Sequence, residues 1–474
     1  MVRHEGGGVA RMRDWTGHLL VLGLGGSGEA AARWALERAA EGAAVGVTVI
    51  DSGTSDALQA RATALRDAGA TVCLGTCELP PADLIVASPG IKPSTPLMQA
   101  ARSHGAPMIS ELELAYRVSS APWVAITGTN GKTTTTSLVT HLLREAGIPA
   151  EPAGNIGPAA VSVACAVGAA GMIVAEVSSF QLALADTFHP RVAALLNITP
   201  DHLDYHGSME AYSAEKAKVF THQVAGDVAV IDIDDAGSAT YAGQVDGSGP
   251  LVRRVSRVTK PENGAYLVGD MLVLGEGGEE HELARVGELA IRGDHNVSNA
   301  LAAAACARAA GADFESIRRG LVSFQPIEHR LEPAGVVDGA EYFNDSKATN
   351  PDAVLKALTA FGVRPLVVLL GGRNKGVPMR PLAEQVAVRA RAVVLFGEAR
   401  GELESAFDGL EVIRTSVRGL AEAVDAAHAI AESGDVVLLS PGCTSFDEFS
   451  GYEERGRRFK QLVTHAAGGG AGGA

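Results

Sequence analysis

Lys132 and Thr133 stand behind the turn Gly128-Thr129-Asn130-Gly131, which follows the apolar run Trp123-Val124-Ala125-Ile126-Thr127. A strand that feeds a glycine-rich turn and then a helix presents backbone amides to phosphate oxygens. Lys132 can neutralise charge on the β- and γ-phosphates, and the Thr133 hydroxyl can ligate Mg2+. Gly128, Thr129, Asn130, Gly131, Lys132, Thr133 and Thr134 are therefore candidate ATP-binding residues. The segment departs from G-x-x-x-x-G-K-[ST], because Ile126 stands five residues before Gly131. An ordinary strand–helix turn could carry the same glycines; the Lys-Thr pair in this context favours phosphate.

Two further groups suit metal chemistry. Glu176 ends the run Met172-Ile173-Val174-Ala175, and His202 follows the run 192–199. Both lie just past strand C-termini, where open α/β sheets bind ligands. A carboxylate and an imidazole near Thr133 could hold Mg2+ on a nucleotide. Taken singly, a capping carboxylate and a loop histidine are equally good readings, and His206 competes with His202. A third motif, Gly23-Leu24-Gly25-Gly26-Ser27-Gly28, fits G-x-G-x-x-G, with Asp51 closing the next apolar run. Alone it predicts an NAD(P) site. A full dinucleotide domain needs two βαβαβ halves, however, and the second phosphate loop arrives by residue 128. A shortened half can still hold one nucleotide's phosphates, with Asp51 accepting hydrogen bonds from base or ribose.

These residues need rigid elements beneath them. Buried-strand runs at 18–24, 46–51 and 84–90, then at 123–127, 172–178 and 192–199, then at 366–372, 392–397 and 435–442, alternate with helical patterns. That alternation predicts parallel α/β sheets. We read three domains: a Rossmann-like 1–118, a central P-loop-type 119–328 and a second Rossmann-like 329–474. After Lys132, the stripe Leu138, Val139, Leu142, Leu143 predicts a helix stopped by Gly147. Residues 232–290 are rich in Gly and Asp and read as antiparallel β structure or loops.

With 474 residues, 46% hydrophobic and 20% charged, the chain has ordinary globular composition. A net charge of −15 argues against a general nucleic-acid or anionic-membrane binder. Cys73, Cys77, Cys165, Cys306 and Cys443 are scattered, which suits reduced thiols. No signal peptide or bilayer-length apolar run is apparent, so a cytoplasmic location is expected. The Gly-rich stretches Met1 to Asp14 and Ala466 to Ala474 are expected to be disordered.

Many stretches together carry a resemblance: GLGGSG, SPGI (88–91), GTNGKTT, GNIG (154–157), EVSSFQL, LNITPDHLDYH, YSAEK (212–216), GDHNVSNA (293–300), EHR (328–330), NDSKATNP (344–351), LLGGRNKG and SPGCTSFDEFSGYEERG (441–456). In this order the chain resembles the Mur ligase family, most closely its D-glutamate-adding branch. The resemblance implies that a UDP-N-acetylmuramoyl-L-alanine carboxylate is activated by ATP as an acyl phosphate and joined to D-glutamate. It implies catalytic roles for Lys132, Glu176, His202 and Lys216, with Thr133, Glu176, His202 and a carbamylated Lys216 as Mg2+ ligands. An ordinary helix lysine is the plain alternative for Lys216, with Lys218 as its rival. Gly25, Ser27, Asp51, Ser88, Pro89, Gly90, Asn155 and Ser178 would meet the UDP-sugar, and Asn296, Asn299, Arg330 and Asp345 the ATP. Lys347, Thr349, Lys375, Ser445, Phe446 and Tyr452 would line the amino-acid pocket, where cations and hydroxyls suit two carboxylates. Asp345 and Ser445 could equally cap helices. Arg373-Asn374, Phe446 and Tyr452 depart from the familiar pattern. The third domain would carry the amino acid and close the site, and a monomer is expected. Sister ligases for other amino acids, folylpolyglutamate synthases and an ATP-driven switch protein are the competing readings.

Overall fold

The computed structural model describes residues 12–325, 328–374 and 376–469. Its apolar runs become three sheets. The first holds β1 (Gly17–Leu22), β2 (Val45–Asp51), β3 (Thr71–Leu74), β4 (Leu84–Ala87) and β5 (Met108–Ser110), all parallel, in the order β3-β2-β1-β4-β5. The second holds β6 (Trp123–Thr127), β7 (Ala150–Gly154), β8 (Met172–Glu176), β9 (Val192–Leu195), β10 (Val228–Asp232), β11 (Leu251–Ser256), β12 (Gly264–Val268), β13 (Met271–Glu276) and β14 (Glu279–Arg285). Their order is β14-β13-β12-β11-β10-β9-β6-β8-β7, parallel from β7 to β12 and antiparallel beyond. The third holds β15 (Glu332–Val337), β16 (Ala340–Asn344), β17 (Leu366–Gly371), β18 (Ala392–Phe396), β19 (Ile413–Ser416) and β20 (Val436–Gly442), ordered β15-β16-β20-β17-β18-β19 with only the β15–β16 pair antiparallel.

Contacts gather these sheets into two compact units: Met1–Glu288 with Ser298–Ser323, and Leu289–Val297 with Phe324–Ala474. The first unit is fused through the helix Glu111–Val118. Its Tyr116 ring lies edge-on to Trp123 at the root of β6 (6.3 Å, 69°) and to Phe188 (5.5 Å, 84°), contacts of about 0.5–1.5 kcal/mol each beyond area burial. The same helix buries two carboxyl groups. Glu113 accepts from Asp186 N at 3.1 Å, Thr187 N at 3.0 Å and Thr187 Oγ1 at 2.5 Å. Glu111 accepts from Val161 N at 2.6 Å, in the first turn of the helix Ala160–Ala166, whose own N-cap Ala159 has no polar side chain to offer. A carboxyl group from the helix that follows the first sheet thus caps a helix packed with the second.

Three expectations need correction. Residues 232–290 are not all β structure or loop: Ala236–Val245 is a helix, N-capped by Asp235, which accepts from Ser238 N at 2.9 Å. The C-terminal helix runs Tyr452–Gly469, through Ala466, because Leu462, Val463 and Ala466 pack on the third sheet's core. Met12–Asp14 forms a 3-10 turn with Met12 buried. Residues 1–11 and 470–474 lie outside the described residues.

Burial raises the Glu111 pKa from 4.5 to about 7, against the lowering effect of the Val161 amide. The folded state therefore binds the proton more tightly than the unfolded chain, so stability is lost as pH rises from 4.5 through 7. Glu111→Gln should flatten this part of the stability–pH curve relative to the parent chain, by up to about 3 kcal/mol. Denaturant melts at pH 5 and pH 8 check it; parallel curves for the two proteins would refute it.

Candidate active site

Strands β9, β6 and β8 are neighbours, and the loops after their C-terminal ends carry most of the polar candidates. The loop after β6 leads into the helix Lys132–Glu145, which ends at Ala146 with Gly147 left-handed (φ 73°), as its sequence predicted. Gly131 caps the helix start at φ 83°, and a Cβ there would lie 2.3 Å from Asn299 Oδ1. Backbone angle and neighbour both demand glycine. Thr133 and Thr134 are buried in the first turn.

The loop after β9 pins this turn. Asn197 Oδ1 accepts from Asn130 N at 2.8 Å, Asn197 Nδ2 donates to Asn130 O at 3.0 Å, and Asn197 O accepts from Thr129 N at 2.9 Å. Thr129 Oγ1 donates to Thr199 O at 3.1 Å and lies 3.1 Å from the Tyr212 hydroxyl. Sequence reading did not single out Asn197; its one local signal is an amide two residues past the end of a buried strand.

Lys132 Nζ folds back to donate to Gly128 O at 2.9 Å and Thr129 O at 2.8 Å. Lys216, on the helix Met209–Ala217, donates to the same Gly128 O at 2.8 Å and sits 4.7 Å over the Tyr212 ring. It is 2% exposed. Burial first, and the Lys132 charge second, hold its pKa well below the ordinary lysine range, while Asp201 and Glu176 oppose them. Its rival Lys218 instead pairs with Glu215 at 2.6 Å.

Glu176 is buried at the end of β8. Its Oε1 accepts from Asn155 Nδ2 at 3.1 Å, and its Oε2 is buried with no hydrogen-bond partner. Asn155 thus orients a carboxylate here. Ser178 caps the short helix Ser179–Ala183 in a reciprocal box with Gln181. His202 is an exposed residue with φ 52°, its ring edge-on to Phe180 at 4.7 Å. His206 stacks on Phe180 at 5.4 Å with Nε2 3.0 Å from Ser179 Oγ.

In the first sheet, β1 and β4 flank the point where strand order reverses. Asp51 is used by the backbone there: Oδ2 accepts from Leu24 N and Oδ1 from Gly53 N, both at 2.7 Å. Ser88 Oγ donates to Gly23 O at 3.2 Å. Gly25 is the N-cap of the helix Gly26–Ala40, with Ser27 in its first turn. Pro89 and Gly90 complete the turn in which Ile91 N donates to Ser88 O at 3.2 Å. Arg61 Nη1, unremarked in the sequence, donates to Leu24 O at 3.1 Å.

The second unit has its own cluster, after the neighbouring strands β16, β20 and β17. Asp345 is buried, accepts from Ser440 Oγ at 2.8 Å, and is pushed up to about 7 by burial, against the Ser440 hydrogen bond and the Arg330 charge. It caps no helix; Asn350 caps Pro351–Thr359. Lys347 Nζ lies 5.4 Å over the Tyr452 ring, and Thr349 N donates to Lys347 O at 2.9 Å. Ser445 is buried, and its carbonyl accepts from Phe449 N at 2.8 Å; Phe446 is 60% exposed. Asn296 is buried and donates to Arg292 O at 2.8 Å. Lys375 lies outside the described residues. Arg455 was missed by sequence reading. It is fully buried and donates to Ser346 Oγ at 3.0 Å, Ser346 O at 2.9 Å and Cys443 O at 3.1 Å, tying the loops after β16 and β20 together.

Three family models match in series: the Mur ligase MurD-like N-terminal domain over residues 17–110, the Mur ligase middle domain over 126–307, and the Mur ligase glutamate ligase domain over 329–443. The first match answers the dinucleotide reading of the Gly23–Gly28 motif, and the three give the α/β fold its three domains. A UDP-N-acetylmuramoylalanine--D-glutamate ligase of Pelotomaculum thermopropionicum is 41% identical over 458 residues, covering 95% of this chain and 98% of the relative. The like-named protein of Thermobifida fusca is 41% identical over 469 residues, covering 94% and 98%. Among solved structures, UDP-N-acetylmuramate-alanine ligase MurC of Thermotoga maritima superposes with a TM-score of 0.60 at 20% identity, covering 95% of this chain and all of that one. A pseudomurein peptide ligase type C of Methanothermus fervidus gives 0.59 at 18%, with the same coverage. These two carry the fold alone. With all three family models matched in order, and relatives above 40% identity along nearly its whole length, the chain belongs to the Mur ligase family.

Proposed function

We propose that this chain joins D-glutamate to UDP-N-acetylmuramoyl-L-alanine with cleavage of ATP to ADP and phosphate, a step of peptidoglycan precursor synthesis. The observation that carries it is the meeting of Lys132 and a buried, proton-poor Lys216 on the Gly128 carbonyl. The names of the relatives supply the substrates. Residues 1–118 hold the UDP-sugar, 119–328 the ATP phosphates and 329–474 the amino acid. In the last segment we assign Lys347, Thr349, Lys375, Ser445, Phe446 and Tyr452 to D-glutamate, and Arg330 and Asp345 to ATP.

The donor set fits a hard cation. Glu176 Oε2 is a buried carboxylate oxygen with no partner, and a neutral Lys216 amine can add CO2: its lone pair forms the N–C bond, a proton leaves, and a carbamate anion replaces the amine. Thr133, Glu176, His202 and carbamylated Lys216 would hold Mg2+, which supplies charge neutralisation to the phosphate oxygens. The chain's own groups do the rest. The N-terminus of the helix Lys132–Glu145 and the Lys132 side chain orient the γ-phosphate, the UDP-substrate carboxylate displaces ADP to form the acyl phosphate, and the D-glutamate amine then displaces phosphate with loss of a proton. A monomer working on small molecules in the cytoplasm, with no nucleic-acid or membrane partner, completes the proposal. No helix among the described residues is long and apolar enough to cross a membrane.

Phosphate release tests this directly. It should require ATP, UDP-N-acetylmuramoyl-L-alanine and D-glutamate together, and should vanish with L-glutamate. Release that follows another amino acid would replace the substrate assignment, and release with ATP alone would overturn the ligase reading. Lys216→Ala should be nearly inactive and partly rescued by short carboxylic acids that stand in for the carbamate; full activity without rescue would remove the carbamate. Asn197→Ala, which frees the phosphate turn, should raise the KM for ATP about tenfold, as loss of one or two buried hydrogen bonds implies. An unchanged value would show that the turn holds its shape unaided.

A further inference from the structure

Glu328, His329 and Glu332 bring ligand-type atoms within 4.8 Å of one another, a grouping that resembles a divalent-cation cradle. A cation of the chain already stands in it. Lys460 Nζ, from the helix Tyr452–Gly469, donates to Glu328 Oε1 at 2.7 Å and to Glu332 Oε1 at 2.8 Å. A metal would have to displace that ammonium, so the cluster reads as an internal ion-pair lock.

What it locks is a costly turn. His329 (φ 66°) and Leu331 (φ 43°) are both left-handed, on either side of Arg330. Residues with side chains hold such angles only where their surroundings over-determine them. The surroundings here do so. His329 N donates to Glu332 Oε2 at 2.9 Å, and Asn344 Nδ2 donates to His329 Nδ1 at 2.9 Å and to Glu332 Oε2 at 3.0 Å. His329 O accepts from Lys347 N at 3.1 Å, and Leu331 N donates to Asp345 Oδ1 at 3.4 Å. The imidazole is pressed on Gly456, where a Cβ would lie 2.1 Å from Nδ1. Burial lowers the His329 pKa, in keeping with a neutral ring that accepts at Nδ1. Glu332 accepts from both His329 N and Asn344 Nδ2, and Lys460 is its lysine partner among the described ion pairs.

We propose that Lys460 is a positioning residue for ATP: by tying Glu328 to Glu332 across the turn, its ammonium holds Arg330 in the orientation that meets the nucleotide. This rests on the assignment of Arg330 to ATP. Lys460 acts only through the turn, so its loss is felt in nucleotide binding rather than in the binding of the UDP-sugar.

The test uses the full chain with Lys460→Met, Lys460→Arg and Arg330→Ala. Lys460→Met should raise the KM for ATP about tenfold, as misplacement of a binding group does, and leave the KM for the UDP-sugar substrate unchanged. Lys460→Arg, which keeps the cation, should restore most of the loss. Amide exchange at His329, Leu331 and Lys347 should quicken in Lys460→Met. Lys460→Gln reads the same parameters if the Met variant folds poorly. Unchanged exchange would overturn the lock itself. Unchanged ATP KM in Arg330→Ala would overturn the ATP assignment and the proposal's consequence for binding. Equal losses in all KM values would reduce Lys460 to general stability.

Discussion

Two lysine side chains end on one carbonyl oxygen, that of Gly128. Two ammonium groups so close repel, and the one with less water gives up its charge more readily. Lys216 is that one: it is buried behind the turn, with the Tyr212 ring beneath it, whereas Lys132 belongs to the turn itself. The pairing divides the labour between chemically identical residues. In the proposed reaction Lys132 is the cation that meets phosphate, and Lys216 is the amine that takes up CO2. The Asn197 amide, the Thr129–Tyr212 contact and the packing of Asn299 against Gly131 serve to hold the carbonyl where both lysines reach it.

The same layout recurs in each sheet. Adjacent parallel strands end together, and the loops beyond them supply polar groups: after β1 and β4, after β9, β6 and β8, and after β16, β20 and β17. Parallel pairing explains the recurrence, since every crossover returns the chain so that neighbouring strands finish on the same edge. Buried polar side chains then brace loop to loop. Asp51 braces the first glycine turn through two amides, and Arg455 spans the loops of the third sheet.

Where chemistry is set by neighbours along the chain, the sequence shows it. Strand, glycine turn and Lys132-Thr133 are contiguous, and the apolar stripe and Gly147 bound the helix that follows. Most of the sheet architecture was legible for the same reason, through runs of buried residues. What depends on distant partners was not. The resemblance favoured Lys216 over Lys218, but the physical reason lies in the fold, which turns one inward to Gly128 and the other to Glu215. The roles of Asn197, Glu111, Arg455 and Lys460 lie entirely in contacts made far along the chain. The helix Ala236–Val245 lacks an apolar period, and the glycines near the C-terminus hid a helix held by Leu462, Val463 and Ala466.

The crossed bonds of Glu111 and Glu113 bear on how this chain can be rearranged. Each carboxyl group belongs by sequence to the first sheet's segment and by bonding to the second's, at Val161 and at Asp186-Thr187. A cut near residue 119 would strand both in solvent or leave their partners bare. The first two sheets are therefore bound into one unit. A chimera that borrows a foreign UDP-sugar segment must bring a matching 160–166 helix and 186–187 loop with it, whereas the second compact unit carries its own buried bracing.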